Sequence, residues 1–130
     1  MQAAAEAYRH AYAPYSRFRV GAAVLDEHGH IHVGCNVENA AYPSGSCAEE
    51  QAIGSMVVQG GRRIRAIMIV GHSDGPVTPC GACRQRIREL GDAHTRIHIA
   101  DMDAGIQRTF TLDALLPESF GPEHLGGCSS

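Results

Sequence analysis

The sequence lacks any apolar run approaching the roughly 18 residues a membrane-spanning helix requires. It also lacks a basic excess. Eleven Lys and Arg against fourteen Asp and Glu give a formal charge of −3 and a pI near 6.2, without the electrostatic footprint of a polynucleotide binder. Neither nucleic acid nor membrane is therefore expected as a partner. The opening MQAAAEAYRHAY has no basic leader and Glu6 interrupts its apolar stretch, so it does not read as a signal peptide, and the expected compartment is the cytoplasm. The five cysteines (35, 47, 80, 83 and 128) are an odd number, a poor match to a closed disulfide framework. Internal repeats are missing, and so is low-complexity sequence before the last few residues.

What is present is globular stock: 130 residues, 44% apolar and 19% charged. A chain of this length buries roughly two-thirds of its unfolded surface, enough for a packed core without disulfides. A single domain over residues 1–125 and a flexible tail over 126–130 are expected. The fifteen glycines suggest tight turns or close backbone approaches.

Local patterns give an order of elements. Residues 2–13 are rich in Ala, Glu and Arg and stop at Ala13-Pro14, predicting a helix. Arg17 to Leu25 reads as a strand, Glu27-His28-Gly29 as a turn, and His30 to Val33 as the returning arm of a hairpin. Asn36 to Ser46 is a loop, Cys47 to Gln59 a helix stopped by Gly60-Gly61, and Ile64 to Val70 a buried strand. A helix from about Cys80 to Leu90, strands at Ile97–Ala100 and Gln107–Thr111, and a short helix over Leu112–Leu116 complete the order. Strands alternating with helices predict an α/β fold with a mixed sheet covered on both faces.

Two fragments carry chemistry: Cys47-Ala48-Glu49 and Pro79-Cys80-Gly81-Ala82-Cys83-Arg84-Gln85. At a helix start Cys80 and Cys83, three apart, share one face and can grip one ion, with Cys47 as a third thiolate. Three protein ligands leave a tetrahedral zinc with an open position, the mark of a catalytic rather than a structural site. Glu49 converges with Cys47 only if the metal lies end-on to the first helical turn, where two helix N-termini would turn their positive ends toward the thiolates. A redox Cys-x-x-Cys pair, or a structural zinc with one inconspicuous ligand, remain the alternatives at this point.

Five segments together, PYSRFRVGAAV, GCNVENAAYPSG, CAE, PCGACRQ and LLPESFGPEHL, resemble the small homotetrameric zinc-dependent cytidine deaminases, in order from Pro14 to Leu125. The resemblance implies a three-layer α/β/α sandwich with a mixed sheet of about five strands. It also implies hydrolytic deamination of cytidine and 2′-deoxycytidine to uridine and 2′-deoxyuridine in pyrimidine salvage. On this basis Cys47, Cys80 and Cys83 are expected to hold one Zn²⁺ per subunit, and Glu49 to shuttle protons. The Ala48 N–H would bond the base carbonyl, Asn36 and Glu38 would bind the ribose, and Phe18 would stack on the pyrimidine. Tyr42 and Phe120 would reach a neighbouring subunit's site, so that a homotetramer shares its active sites.

Many members of that family carry Arg directly after the catalytic Glu, where this chain has Glu50. Three thiolates on Zn²⁺ carry net negative charge, so Arg84 and the helix N-termini are expected to compensate, with Glu50 turned away. Deaminases of modified nucleosides such as blasticidin S share Cys-Ala-Glu and Pro-Cys-x-x-Cys; the Asn36/Glu38 pair and the LLPESF ending favour cytidine. From other classes, a structural zinc module predicts a fourth protein ligand, and a dithiol protein a reversible Cys80–Cys83 disulfide. Read without any resemblance, Phe18 is a core residue, Asn36 a turn cap, Cys35 a buried small side chain, and His30 and His32 surface residues on one strand face. The Arg84, Arg86 and Arg88 series spreads around its helix and forms no basic stripe.

Overall fold

A computed structural model describes residues 1–15, 18–41, 45–71 and 81–112, without the side chains of residues 81–84. The expected short helix beyond Leu112, the tail, Tyr42, Cys80 and Phe120 lie outside the described residues, as do the side chains of Cys83 and Arg84.

The alanine-rich start forms α1 (Gln2–Arg9), which buries Ala4 and Ala7. It ends earlier than predicted because Tyr12 leaves the helix: its N–H donates to Asn36 O (2.9 Å), and its carbonyl accepts from the Glu38 N–H (2.8 Å). Strands β1 (Gly21–Asp26) and β2 (Ile31–Cys35) form the predicted hairpin, with Gly21 opposite Cys35 and Leu25 opposite Ile31. Its turn needs Gly29 at φ +83°, a conformation costly for residues with a Cβ. Helix α2 (Ala48–Val58) and strand β3 (Ile64–Gly71) follow, then α3 (Gly81–Leu90), β4 (Arg96–Asp101) and β5 (Gly105–Thr111).

The strands form one sheet in the order β2-β1-β3-β4-β5. Only the β3–β4 pair is parallel, with Ile67 opposite Ile97 and Ile69 opposite Ile99, and α3 lies between these strands in sequence. The near-continuous burial of β3 fits its central place between two layers. One face packs Ala22, Val24, Ile67, Ile69, Ile97 and Ile99 against Ala48, Ala52, Ile53 and Met56 of α2 and Ile87 of α3. Burial of each such isoleucine contributes about 1.5–3 kcal/mol. The opposite face packs Ala23, Met68, Val70 and Ala100 against Ala4 of α1. The outcome is the expected α/β/α layering around a mixed five-stranded sheet. No helix among the described residues is long and apolar enough to cross a membrane.

His32 departs from the surface expectation. Its ring is buried against α2's side of the sheet, where Nε2 lies 2.8 Å from Asp26 Oδ2. Asp26 is buried too; its other oxygen accepts the backbone N–H groups of His28 (2.8 Å) and His30 (2.9 Å). The His32 bond is the largest influence holding the Asp26 carboxyl down at about 2, against the opposing effect of burial. An ionised carboxylate only accepts, so Nε2 carries the proton in this bond.

Candidate active site

The start of α2 is shaped by its sequence. Cys47 is the N-cap, with extended backbone (φ −84°, ψ 154°). Its N–H donates to Glu50 Oε1 (3.3 Å) while its side chain faces the Glu50 N–H, closing a capping box. Ala48 and Glu49 are then the first two helical residues, whose N–H groups have no acceptor within the helix. Both residues are buried, Glu49 at 5% exposure. A carboxyl group at this position lies beside the positive end of the helix dipole.

Gly34 lets α2 come this close to the sheet. A Cβ there would collide with the Ala48 carbonyl and lie 2.6 Å from the Ala52 nitrogen. The segment before Cys47 is fixed by a reciprocal pair of bonds, Val37 N–H to Ser46 O (3.0 Å) and Ser46 N–H to Val37 O (2.9 Å). Gln51 Nε2 adds a bond to Ser46 Oγ (2.7 Å). Val37 is flanked by Asn36 and Glu38, so the amide–carboxylate pair sits one bridge away from Cys47-Ala48-Glu49.

Phe18 is brought to the same end of the sheet. It stands just before β1 and is 36% exposed, outside the core that the strand pattern alone suggested. Its carbonyl accepts from Asn36 Nδ2 (2.8 Å). Cys35, expected to be buried, is only partly covered, and burial pushes its thiol pKa up.

The second helix joins through charge. Arg86 Nη2 of α3 pairs with Glu50 Oε2 of α2 at 3.4 Å, and the two helices pack together. Glu50 is held from two sides: one oxygen caps α2 and the other meets Arg86. Sequence reasoning gave neither residue this role, because helix-to-helix register is not written in either helix alone. Cys83 falls in the first turn of α3. A cysteine capping one helix and a cysteine in the first turn of the helix packed against it are the donor chemistry that suits an ion such as zinc. Among the described residues alone, no three His, Cys, Asp or Glu side chains could hold a metal. A groove of about 620 Å³ on the α1 side is lined by other residues, among them Met1, Ile31, Met68 and His98.

Residues 1–99 match the family model described as the cytidine and deoxycytidylate deaminase zinc-binding region. The chain belongs to the cytidine deaminase family. A cytidine deaminase of Sporosarcina psychrophila is 43% identical over 120 residues, 92% of this chain and 88% of the relative. One from Mycobacterium tuberculosis H37Rv is 39% identical over 122 residues, covering 94% and 87%. Among solved structures, the cytidine deaminase of Burkholderia pseudomallei superposes with a TM-score of 0.85 at 43% identity, covering 92% of this chain and 94% of that one. The five-stranded mixed sheet and its flanking helices are thus the fold of cytidine deaminases.

Proposed function

We propose that this chain catalyses the hydrolytic deamination of cytidine and 2′-deoxycytidine to uridine and 2′-deoxyuridine, releasing ammonia, as a step of pyrimidine salvage. The observation that carries the reading is the buried Glu49 in the first turn of α2, beside Cys47 and one bridge away from Asn36 and Glu38.

Cys47, Cys80 and Cys83 would hold zinc, which when bound lowers the pKa of a water molecule enough to supply hydroxide near neutrality. Glu49 takes a proton from the attacking water and places it on N3 of the pyrimidine. The water oxygen bonds to C4. Glu49 then carries the remaining water proton to the exocyclic nitrogen, the C4–N bond breaks, and ammonia leaves. The Ala48 N–H bonds the base carbonyl, and Phe18 stacks on the ring. Asn36 and Glu38 take the ribose, an amide and a carboxylate suiting hydroxyls that both donate and accept.

One zinc per subunit and a homotetramer in which Tyr42 and Phe120 complete a neighbour's pocket belong to the same reading. So do a single domain over residues 1–125, a cytoplasmic location, and a small pyrimidine nucleoside rather than a polynucleotide as partner.

The test is uridine formation from cytidine by the zinc-loaded protein, with Glu49→Ala as its control. Turnover that disappears in the variant while zinc is retained is the expected result. A zinc-replete protein that deaminates neither cytidine nor 2′-deoxycytidine overturns the proposal.

A further inference from the structure

Asn36 spends its side chain on its own fold. Oδ1 accepts the Val20 N–H at 2.8 Å, and Nδ2 donates to the Phe18 carbonyl at 2.8 Å. The donor at Val20 and the acceptor at Phe18 fix which end of the amide is which. Glu38 acts in parallel, its Oε1 accepting the Tyr15 N–H at 2.9 Å. The backbone of the same segments is joined as well, Asn36 N–H to Val20 O (3.1 Å) and Tyr12 N–H to Asn36 O (2.9 Å). The two side chains assigned to the sugar thus grip the backbone on either side of the residue assigned to the base.

An amide oxygen has two lone pairs and an amide nitrogen two hydrogens, so these bonds leave one of each for a ribose hydroxyl. We infer that Asn36 is a positioning residue for Phe18, coupling sugar recognition to base stacking through a single amide. The inference rests on the reading of Phe18 as the stacking group. A ribose hydroxyl that orients the Asn36 amide also sets the backbone from which the Phe18 ring projects. A nucleoside lacking that hydroxyl would still depend on Asn36, because Phe18 does.

The experiment compares cytidine with 2′,3′-dideoxycytidine, which cannot offer those hydroxyls, on the zinc-loaded enzyme. Asn36→Asp keeps acceptors for Val20 and for a sugar hydroxyl, but sets a carboxylate oxygen against the Phe18 carbonyl. Its KM is expected to rise about tenfold for both substrates, the scale of one lost hydrogen bond. In a Phe18→Ala background the same change should move the dideoxycytidine KM by less than about twofold, because coupled residues are not additive. Val20 amide exchange should stay slow in Asn36→Asp, which keeps its acceptor, and quicken in Asn36→Ala, which withdraws it, while Ile67 and Ile69 exchange slowly in both, a sign independent of activity that the core persists. Should the carboxylate prevent folding, Asn36→Ser removes the Phe18 bond without adding charge and is expected to behave in the same way. A penalty confined to cytidine overturns the inference, since Asn36 would then act through the sugar alone. An undiminished dideoxycytidine penalty in the Phe18→Ala background overturns it as well. If Phe18→Ala by itself leaves KM unchanged, the stacking role falls, and the inference falls with it for that separate reason.

Discussion

Arg86 Nη2 stands 3.4 Å from Glu50 Oε2, and the Cys47 N–H stands 3.3 Å from the other oxygen of the same carboxylate. One side chain thereby ties the cysteine at the start of α2 to the helix that carries Cys83. The residue directly after Glu49 is an anion, and the facing helix supplies the cation that meets it. The net charge beside the helix starts is balanced across two elements instead of within one.

Glu50 contributes through both bonds, and substitutions separate them. Glu50→Gln keeps an acceptor for the Cys47 N–H and loses the pair with Arg86, a partly exposed contact worth about 0.2–1 kcal/mol. Glu50→Ala loses the cap as well, adding about 0.5–1 kcal/mol. Urea unfolding should rank wild type above Glu50→Gln and Glu50→Gln above Glu50→Ala. Equal midpoints for the two variants would deny the capping role.

The Asp26–His32 pair makes stability depend on acid. The Asp26 pKa is lowered from an ordinary 3.8 to about 2, first by the His32 bond and then by the His30 and His28 backbone N–H groups, with burial opposing. A depressed carboxyl stabilises the fold fully above its unfolded pKa, and that contribution is lost as pH falls from about 4 towards about 2. Asp26→Asn should unfold at lower urea at neutral pH and show a shallower decline across that acid window. Parallel curves for the two proteins would remove Asp26 from the acid limb.

Gly34 permits the contact between β2 and α2 that sets Cys47-Ala48-Glu49 in place. Gly34→Ala puts a methyl group against the Ala48 carbonyl, so either α2 shifts or β2 bends. The cost of such overpacking is about 1–3 kcal/mol. Because the displaced residues belong to the site, the expected loss in kcat exceeds what the remaining folded fraction explains. Thermal unfolding alongside single-turnover kinetics checks both halves of this statement.

Removing the metal should abolish uridine formation without unfolding the sheet, whose large apolar clusters need no ion. A chelator-treated sample is expected to keep its far-ultraviolet circular dichroism and to recover turnover with added Zn²⁺. Cys47→Ser should bind zinc more weakly while preserving an N-cap side chain that accepts from the Glu50 N–H. Unchanged zinc affinity in that variant would remove Cys47 from the ligand set.

Much of this arrangement is legible in the chain. Apolar runs and Gly and Pro punctuation place every described element, and the CAE and PCGACRQ segments lead to the starts of α2 and α3. What local patterns miss are choices made by partners distant in sequence. Tyr12 leaves α1 for Asn36 and Glu38, and Val20 is met by an asparagine side chain before the β1 ladder begins. His32 looks like a surface residue in an alternating strand until Asp26, six positions earlier, is folded back beside it by the hairpin. Arg86 appears as one of three arginines around a helix until α3 docks on α2.

The bridge between Val37 and Ser46 has a further consequence, one of timing. Every bond joining Tyr12, Tyr15, Phe18 and Val20 to Asn36 and Glu38, and this loop to the start of α2, closes within the first half of the chain. Short loops close at small entropic cost, so this region can assemble early. Cys83 arrives only after β3 has been made and α3 has crossed back to α2. As the chain emerges in order, the part that would grip the nucleoside takes shape ahead of the part that would react with it.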